Sequence, residues 1–509
     1  MGRPVKAQND DVYERGLALA RAGHHAEAIG CFETALLSRP GDMRVLFALG
    51  NTAAAIGHAD AAENFFRRAL KDDPDRLEIL VNLANLLRKG GRTNDTIALL
   101  KPAIERKPEQ AELWLTLGSA LREAGNAGTA EIFYREALRL KPAYMPALGN
   151  LADLLADQGG VDEALQLFER ALANDPENPQ ARLNRAFLFL MKGDLAQGWR
   201  DYDYRLAIPD RVIHSDHRLP LWNGDFRRGA KLLVSAEQGI GDQLMFASVI
   251  PDLIRKFAAA NGSVILEAEP RLVPLLARSF PDVVVHAADI ETRGGQNFAA
   301  YDWLQRNGGA DAAIALGSLP RFLRKGLSDF PSPHSYLVPD PAERERWSRW
   351  LRAEAEPPYV GLCWRSGLSG GLRGIQYAPL EFWAEFIRSC PGTPVALQYD
   401  LRTEEFECLL RLSERKIVIP PKLDQKQEID RTAAMIAALD AVVSAPTSVS
   451  WIAAPLGVPT LKLLYNNCWT SFGADYEPFA PACRCIMPEK SGDWRGTFAK
   501  ALSALSLRG

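Results

Sequence analysis

The chain has 509 residues, 47% of them hydrophobic and 24% charged, a composition typical of soluble globular proteins and too apolar for a disordered one. At roughly 150 residues per domain, this length predicts about three folding units. Sixty Lys and Arg residues stand against 63 Asp and Glu residues, so the formal net charge is −3. The chain lacks the basic excess that drives phosphate-backbone binding, and nucleic acid is not an expected partner.

The start of the chain has no apolar core of a signal peptide, and no segment approaches the roughly 18 uninterrupted apolar residues of a membrane span. The seven cysteines contain no CxxC pair, which indicates reduced thiols. These features predict a cytoplasmic protein with no membrane span. No metal site is expected, because Cys483 and Cys485 have no second cysteine pair and His214 and His217 have no third ligand.

A repeat of 34 residues fills the first two fifths of the chain. Alanines recur five residues before each repeat proline, and a large residue precedes each of these alanines by three. Small residues let two antiparallel helices approach closely, the large residue fills the gap between them, and proline ends the second helix. The repeat prolines are Pro40, Pro74, Pro108, Pro142 and Pro176, and the large residues are Phe32, Phe66, Leu100, Tyr134 and Phe168.

Glycines fall where the two helices of a repeat are predicted to cross, at Gly16, Gly50 and Gly118. Together with Trp114 and Leu117 they complete the signature of the tetratricopeptide repeat (TPR). The pattern predicts five repeats over about residues 9–178 and a sixth, degenerate repeat to about 208. Stacked helix pairs of this kind form a concave groove that typically binds peptides or protein partners.

Asn82, Asn150 and Asn184 occupy the same repeat position on the predicted concave face, with Asn51 and Asn85 nearby. An asparagine amide offers both a donor and an acceptor to the backbone of an extended peptide. The three asparagines are therefore candidates for a protein-acceptor groove. The alternative is that they are polar filler on a solvated helix face.

From Lys231 onward, short apolar runs alternate with amphipathic stretches, which is the pattern of parallel strands flanked by helices. Two such series predict two Rossmann-like domains, over 209–340 and 341–509, after a solenoid over 1–208. A cleft between the carboxyl ends of their sheets is the expected ligand site. The predicted strands are 232–236, 263–269, 283–287, 312–318, 359–364, 393–399, 416–420, 440–446 and 460–465.

The first of these strands leads into a loop that contains Gly239, Gly241 and Asp242. The glycines permit a tight turn, and the start of the following helix favours an anion. The spacing is not the GxGxxG of dinucleotide sites. Asp242 is either a carboxylate that acts in the cleft or a plain cap of the helix.

Two loops of the second domain face the same predicted cleft. Thr447 and Ser448 offer hydroxyls and amides that suit a diphosphate, unless they are an ordinary helix cap. Arg365, Ser366 and Arg373 lie in a glycine-rich loop after the first strand of this domain. Cations at this place would offset the charge of a leaving diphosphate without a metal, and the alternative is a solvated surface loop.

The repeats, the Trp222-Asn223-Gly224 segment, the loop at 237–243 and the segment SAPTSVSWIAAPLGVPT at 444–460 resemble bacterial TPR-containing GT-B glycosyltransferases. These are similar to heptosyltransferases and more remotely to O-GlcNAc transferase. The resemblance implies an α + α/β chain, with a TPR α-solenoid followed by a GT-B module of two Rossmann-like domains.

The resemblance also implies an inverting, metal-independent transfer of a sugar from a nucleotide-sugar, with no other cofactor. The C-terminal half would hold the donor, and the acceptor would lie near the N-terminal half. In heptosyltransferases the aspartate of the first loop is the general base, and Asp242 occupies that position here. The predicted donor-binding residues are Gly239, Gly241, Arg365, Ser366, Arg373, Thr447 and Ser448.

The chain departs from heptosyltransferases where their D-T-x-x-x-H element should lie. Pro446 and Trp451 replace the aspartate and the histidine, so an ADP-heptose donor is not expected. The domain order also resembles bacterial flagellin glycosyltransferases, in which a TPR region recruits flagellin and the GT-B half modifies Ser or Thr. That resemblance implies a CMP-linked nonulosonic acid as donor.

Two other functions are consistent with the sequence. A TPR scaffold whose GT-B half has lost catalysis would explain the altered element, whereas the retained Asp242 and the cationic glycine-rich loop favour an enzyme. Synthesis of a glycan polymer, with the repeats serving only oligomerisation, is the third hypothesis.

Overall fold

The computed structural model describes residues 5–208, 212–215, 217–293, 296–306, 308–330, 335–367 and 371–506, with the backbone alone for 5–9 and 371–373. A helical solenoid comes first along this part of the chain, and two α/β halves follow it, each built on a parallel sheet. The predicted order of helical repeats and of alternating strands and helices is confirmed.

The solenoid contains six antiparallel helix pairs within the described residues, one for each predicted repeat. The second helix of each of the first five pairs ends shortly before the repeat proline, as the sequence predicts. The helices are α1 (Val5–Arg21), α2 (His25–Ser38), α3 (Met43–Ala55), α4 (Ala59–Ala69), α5 (Leu77–Lys89), α6 (Thr93–Arg106), α7 (Ala111–Glu123), α8 (Ala127–Leu140), α9 (Met145–Asp157), α10 (Val161–Asn174), α11 (Pro179–Met191) and α12 (Leu195–Tyr202).

Close approach within a repeat depends on the predicted glycines. A Cβ atom added at Gly50 would lie 2.5 Å from Cε1 of Phe66, and one added at Gly16 would lie 2.6 Å from Cε1 of Phe32. These separations are far shorter than any carbon–carbon contact. Glycine is therefore needed at these positions so that the aromatic ring of the second helix can pack on the first.

The first α/β half holds a parallel sheet in the order β4-β3-β2-β7 and a small mixed sheet in the order β1-β6-β5. The sequence did not predict the small sheet, because its strands are three or four residues long and mostly exposed. The elements are β1 (Ile213–Ser215), β2 (Lys231–Ser235), α13 (Ile240–Phe246), α14 (Ile250–Ala259), β3 (Ser263–Ala268), α15 (Val273–Ser279), β4 (Val284–Ala287), β5 (Ile290–Arg293), β6 (Gln296–Ala299), α16 (Asp302–Arg306), β7 (Ala312–Ala315) and α17 (Pro320–Leu323).

The second α/β half holds a parallel sheet in the order β12-β11-β10-β8-β9. The strand predicted at 416–420 is wrong: only Val418 pairs, in a single bridge to Val395, and the prolines that follow it have no N–H to extend a ladder. The elements are α18 (Pro341–Glu354), β8 (Tyr359–Cys363), α19 (Leu380–Ser389), β9 (Thr393–Ala396), α20 (Thr403–Ser413), α21 (Ile429–Ile436), β10 (Ala441–Ser444), α22 (Ser448–Ala453), β11 (Thr460–Leu463), β12 (Cys483–Ile486) and α23 (Trp494–Ser506).

The last repeat packs into the α/β halves. Trp199 and Tyr202 of α12 share one apolar core with Phe246 of the first half and with Phe472 of the second. The indole N–H of Trp199 donates to the carbonyl oxygen of Arg324 at 2.9 Å. The predicted boundary at residue 208 therefore marks the end of the repeats in the sequence but no break in the packing.

Candidate functional site

A cavity of about 590 Å³ lies between the two α/β halves, and we call it the central cavity. Its walls come from the loops that follow the carboxyl ends of β2, β8, β9, β10 and β11, where ligands of parallel sheets usually bind. Residues predicted from the sequence meet on it, although they are far apart along the chain: Gly241 and Asp242 of the first half approach Ser366, Thr447 and Ser448 of the second.

A second cavity of about 620 Å³, the side cavity, opens on the other side of the β2 loop. Arg205, Glu237 and Gln243 contribute to its wall, together with residues of the small sheet such as Asn297. Asp242 lines both cavities. Its carboxyl group therefore lies at the boundary between two separate ligand-sized spaces.

Asp242 also closes the start of α13. The backbone N–H of Gly239 donates to Oδ2 of Asp242 at 3.3 Å, which is the geometry of a helix cap. The two interpretations of this aspartate are compatible, because the cap fixes a carboxylate that also borders both cavities. The tight turn itself is made by Gln238, whose φ is +60°, and neither Gly239 nor Gly241 has a positive φ, in contrast to the sequence prediction.

Gly241 brings the two halves together. A Cβ atom at this position would lie 3.5 Å from Cδ1 of Trp451 and 3.7 Å from Cα of Ser448. The start of α13 in the first half and the start of α22 in the second half therefore pack against each other at the edge of the central cavity.

Thr447 and Ser448 differ in their surroundings. Thr447 is 7% exposed, and its Oγ1 accepts from the N–H of Val449 at 3.3 Å and lies 3.1 Å from Oγ of Ser444. It therefore acts as the helix cap. Ser448 is half-buried on the cavity wall, and no described residue accepts from or donates to its hydroxyl, so its hydroxyl is the better placed of the two to meet a ligand.

Of the described side chains in the glycine-rich loop after β8, it is Ser366 and not Arg365 that lines the central cavity. Ser366 lines the central cavity, and its Oγ accepts from the hydroxyl of Tyr399 at 3.1 Å. Arg365 is 6% exposed and is not part of the cavity wall. Its guanidinium donates to Glu405 at 2.7 Å and to Asp400 at 3.0 Å. The side chain of Arg373 lies outside the described residues.

Among the described side chains, the positive charges that line the central cavity are Arg271 and Lys462, which were not predicted from the sequence. Arg271 pairs with Glu269 at 2.6 Å and donates to the carbonyl oxygen of Lys426 at 2.8 Å, so it also joins the two halves. Lys462 interrupts the apolar run of β11. A lone lysine in a strand otherwise fit for burial is a signal that could have identified it.

The three asparagines of the predicted groove lie half-buried on α5, α9 and α11, the first helices of their repeats. Nδ2 of Asn82 donates to Oδ1 of Asn51 at 2.7 Å, and Nδ2 of Asn150 donates to Oγ of Ser119 at 3.0 Å. Oδ1 of Asn184 accepts from Gln180 at 2.7 Å. Part of each amide therefore serves contacts within the solenoid.

Two of these helices, α9 and α11, contact the second half. Phe187 of α11 packs on Trp469, which lines the cavity, with ring centroids 5.3 Å apart. Asp157 at the end of α9 accepts hydrogen bonds from Asn466 and Ser491 of the second half. Helix α11 of the solenoid thus reaches the rim of the central cavity through Phe187.

Among the described residues, no group of three or more His, Cys, Asp or Glu side chains is arranged to hold a metal ion. His214 is exposed and stacks on Phe298, and His217 packs edge-on against Tyr301. All seven cysteines are free thiols. A search of the helices in the described segments finds none long and apolar enough to cross a lipid bilayer.

A family model of the tetratricopeptide repeat matches residues 13–76, 81–144 and 150–207. The chain therefore contains a TPR solenoid. The predicted repeats and their extent to about residue 208 are confirmed, and the chain combines this solenoid with a C-terminal mixed α/β region of parallel sheets. TPR solenoids serve as protein-interaction scaffolds, so a protein partner is the expected ligand of this region.

Protein FlbA of Caulobacter vibrioides is 32% identical to this chain over 323 residues, which are 63% of this chain and 54% of that protein. The chain thus spans about half the length of this relative. Among solved structures, the thermophilic TPR protein TTC0263 of Thermus thermophilus is 25% identical over 36% of this chain and 99% of its own, with a TM-score of 0.32. PilW, a type IV pilus biogenesis factor, is 20% identical over 39% of this chain and 92% of its own, with a TM-score of 0.34.

Proposed function

We propose that the chain is an inverting, metal-independent glycosyltransferase of the GT-B type, which transfers a sugar from a nucleotide-sugar to Ser or Thr of a protein bound by the solenoid. One observation carries this proposal. Asp242, Ser366, Thr447 and Ser448, selected from the sequence for this chemistry, line one cavity between the carboxyl ends of two parallel sheets.

The two cavities suggest the arrangement of the substrates. The donor nucleotide would occupy the central cavity beside Ser448, and the acceptor would enter from the side of Asp242. The Asp242 carboxylate would take the proton of the acceptor hydroxyl as its oxygen bonds to the anomeric carbon. The bond from that carbon to the donor phosphate breaks, the nucleotide leaves with its electron pair, and a single displacement inverts the anomeric centre.

The solenoid supports a protein acceptor. Its helix α11 reaches the rim of the central cavity through Phe187, which packs on Trp469, so a chain bound on this face of the solenoid would be held near Asp242. Each asparagine amide has two N–H donors and one oxygen acceptor, so the contacts of Asn82 and Asn150 within the solenoid leave groups for a peptide backbone. Flagellin is the first acceptor to test, with a CMP-linked nonulosonic acid as donor, because of the domain order.

Calorimetric titration of the whole chain with CMP, UDP, GDP and ADP tests the donor site. We expect one nucleotide to bind and to raise the melting temperature. Replacing Ser366 and Ser448 together by alanine should weaken that binding, because both hydroxyls line the cavity. The exposed Ser328→Ala is the matched control. If folded protein binds none of the four nucleotides, the donor site is wrong.

The base is tested with Asp242→Asn, which keeps an oxygen for the N–H of Gly239. We expect the rate of transfer to fall by about 10²–10⁴-fold, the usual contribution of a general base, while nucleotide affinity changes little. The exposed Asp282→Asn serves as control. Undiminished transfer by Asp242→Asn would remove Asp242 from this role.

A TPR scaffold with an inactive α/β half is the second candidate function. Arg365 favours it, because the arginine predicted to serve the donor is bound instead to Glu405 and Asp400. Acceptor binding by variants Asn150→Ala and Asn184→Ala, with the exposed Asn174→Ala as control, tests the partner surface common to both functions. Partner binding without any nucleotide binding would favour the scaffold, and transfer to saccharide with protein unmodified would favour glycan synthesis.

A further inference from the structure

Lys462 is a buried cation on the wall of the central cavity. It is 2% exposed, and its ammonium forms an ion pair with Glu477, which is 0% exposed. Nζ also lies 4.6 Å from the centre of the Trp451 ring. An ammonium has three N–H donors, yet Glu477 is the one hydrogen-bond acceptor that the described residues provide.

Stability is a poor explanation for this pair. A buried ion pair stabilises a fold only when all its polar atoms find partners, and an apolar pair of similar size often does as well. One oxygen of Glu477 has no hydrogen-bond partner among the described residues. The other oxygen accepts from Thr470 at 2.9 Å and from Lys462.

The lysine stays charged despite its burial. Burial alone lowers the pKa of Lys462, but the Glu477 carboxylate outweighs this effect and raises the pKa above its ordinary value. Among the other titratable groups around the pair, the thiols of Cys468, Cys483 and Cys485 act on Lys462, and the buried phenol of Tyr336 faces Glu477. Burial raises the pKa of Cys483 to about 12 and also raises the pKa values of Cys468 and Cys485. Glu477 is therefore the counter-ion that keeps a full positive charge at the cavity wall.

We propose that Lys462 binds the phosphate of the donor nucleotide and stabilises its negative charge as the nucleotide leaves, and that Glu477 is a positioning residue that holds the ammonium at the cavity wall. The inference rests on the proposed glycosyltransferase. It assigns to Lys462 the role that was predicted for Arg365, whose guanidinium is bound elsewhere. A phosphate oxygen would meet the donors of Lys462 that Glu477 leaves unused, beside the hydroxyl of Ser448 on the same cavity.

The test compares nucleotides with their uncharged nucleosides. Affinities of the whole chain for CMP, UDP, GDP and ADP and for cytidine, uridine, guanosine and adenosine are measured by calorimetry or ligand-observed NMR. The variants are Lys462→Met, Glu477→Gln and the double variant, which leaves no unpaired buried charge. Lys416→Met, in which an exposed lysine loses its partner Glu354, is the control.

For the nucleotide that binds wild type, we expect Lys462→Met and the double variant to lose affinity by at least about tenfold, the usual size of a charged hydrogen bond. Nucleoside affinity should change less than about twofold in the same variants, since the loss is confined to the phosphate. Glu477→Gln should lose nucleotide affinity, and the loss should grow as the pH rises, because burial then lowers the pKa of Lys462 unopposed. Wild type should show no such loss.

Each other outcome overturns the inference. Unchanged nucleotide affinity in the double variant would leave the donor site standing without a role for Lys462. Equal losses for nucleotide and nucleoside would show that the pair only maintains the shape of the cavity. A wild type that binds no nucleotide would refute the donor site and this inference together.

Discussion

Two ion pairs between repeats of the solenoid and two ion pairs beside the cavities of the α/β halves differ in burial. In the solenoid, Arg106 pairs with Asp75 at 2.8 Å and Arg135 with Glu163 at 2.9 Å, and each arginine side chain is almost half exposed. In the α/β halves, Arg205 pairs with Glu237 and Lys462 with Glu477, and none of these four residues is more than 9% exposed. Each buried pair borders one of the two cavities.

The two kinds of pair have different physical consequences. Exposed pairs are screened by water and salt and contribute about 0–1 kcal/mol. Buried pairs add little net stability, yet removal of one partner is costly because it leaves an unpaired charge in the interior. For Arg205–Glu237 and Lys462–Glu477, the bordering cavity explains the buried pair better than the stability of the fold does, whereas the buried Arg365 pairs with Glu405 and Asp400 away from the cavity wall.

The largest effect is expected when a buried pair is broken. Arg205→Met leaves Glu237 without its cation and also removes a hydrogen bond to Ser318 of 3.0 Å, so we expect a loss of about 3–5 kcal/mol in the free energy of unfolding. Urea unfolding followed by tryptophan fluorescence measures it.

The control for Arg205→Met is the double variant with Glu237→Gln. It should recover a large part of the loss, because the amide oxygen still accepts from the N–H of Gly317, which lies 2.9 Å from the Glu237 carboxylate. If Arg205→Met lowers the free energy of unfolding no more than removal of an exposed pair does, the distinction between buried and exposed pairs is wrong.

An intermediate effect is expected inside a repeat. Gly50→Ala places a methyl group 2.5 Å from the Phe66 ring, and we expect it to cost about 1–3 kcal/mol through overpacking. Gly30→Ala is the matched control, because Gly30 is also helical but no atom lies within 4 Å of its added Cβ. That variant should gain up to about 1 kcal/mol from helix propensity. Similar melting temperatures for the two variants would contradict the packing argument.

The repeats could be predicted because their contacts are local. Gly50 and Phe66 are 16 positions apart, and a small residue followed 16 positions later by a large one recurs with the 34-residue period, so the packing within a repeat can be read from the sequence. The strands of the parallel sheets were also predictable from their apolar runs. The small sheet was not, since β5 is exposed along its length and shows no apolar alternation.

The candidate site was predictable only in part. The loops of Asp242 and Ser448 could be placed, because the carboxyl ends of parallel strands mark the ligand side of a sheet. The direction in which a long side chain points could not be predicted from the sequence. Arg365 pairs with Glu405 and Asp400, which lie after β9, whereas Glu477 holds Lys462 at the cavity. Neither pairing can be recognised from the residues adjacent in the sequence.

The smallest effect is expected for the exposed pairs of the solenoid. Arg135→Met removes a contact of 2.9 Å with Glu163 that joins neighbouring repeats, and we expect a loss below about 1 kcal/mol in the free energy of unfolding. The difference from wild type should shrink further near 1 M salt, because the Debye length falls from about 10 Å at 0.1 M to about 3 Å and weakens the attraction of exposed charges. Urea unfolding at low and high salt measures the loss in the free energy of unfolding and its dependence on salt. A loss as large as that of Arg205→Met, unaffected by salt, would contradict this expectation. It would show that the burial of an ion pair does not determine how much stability is lost when the pair is removed.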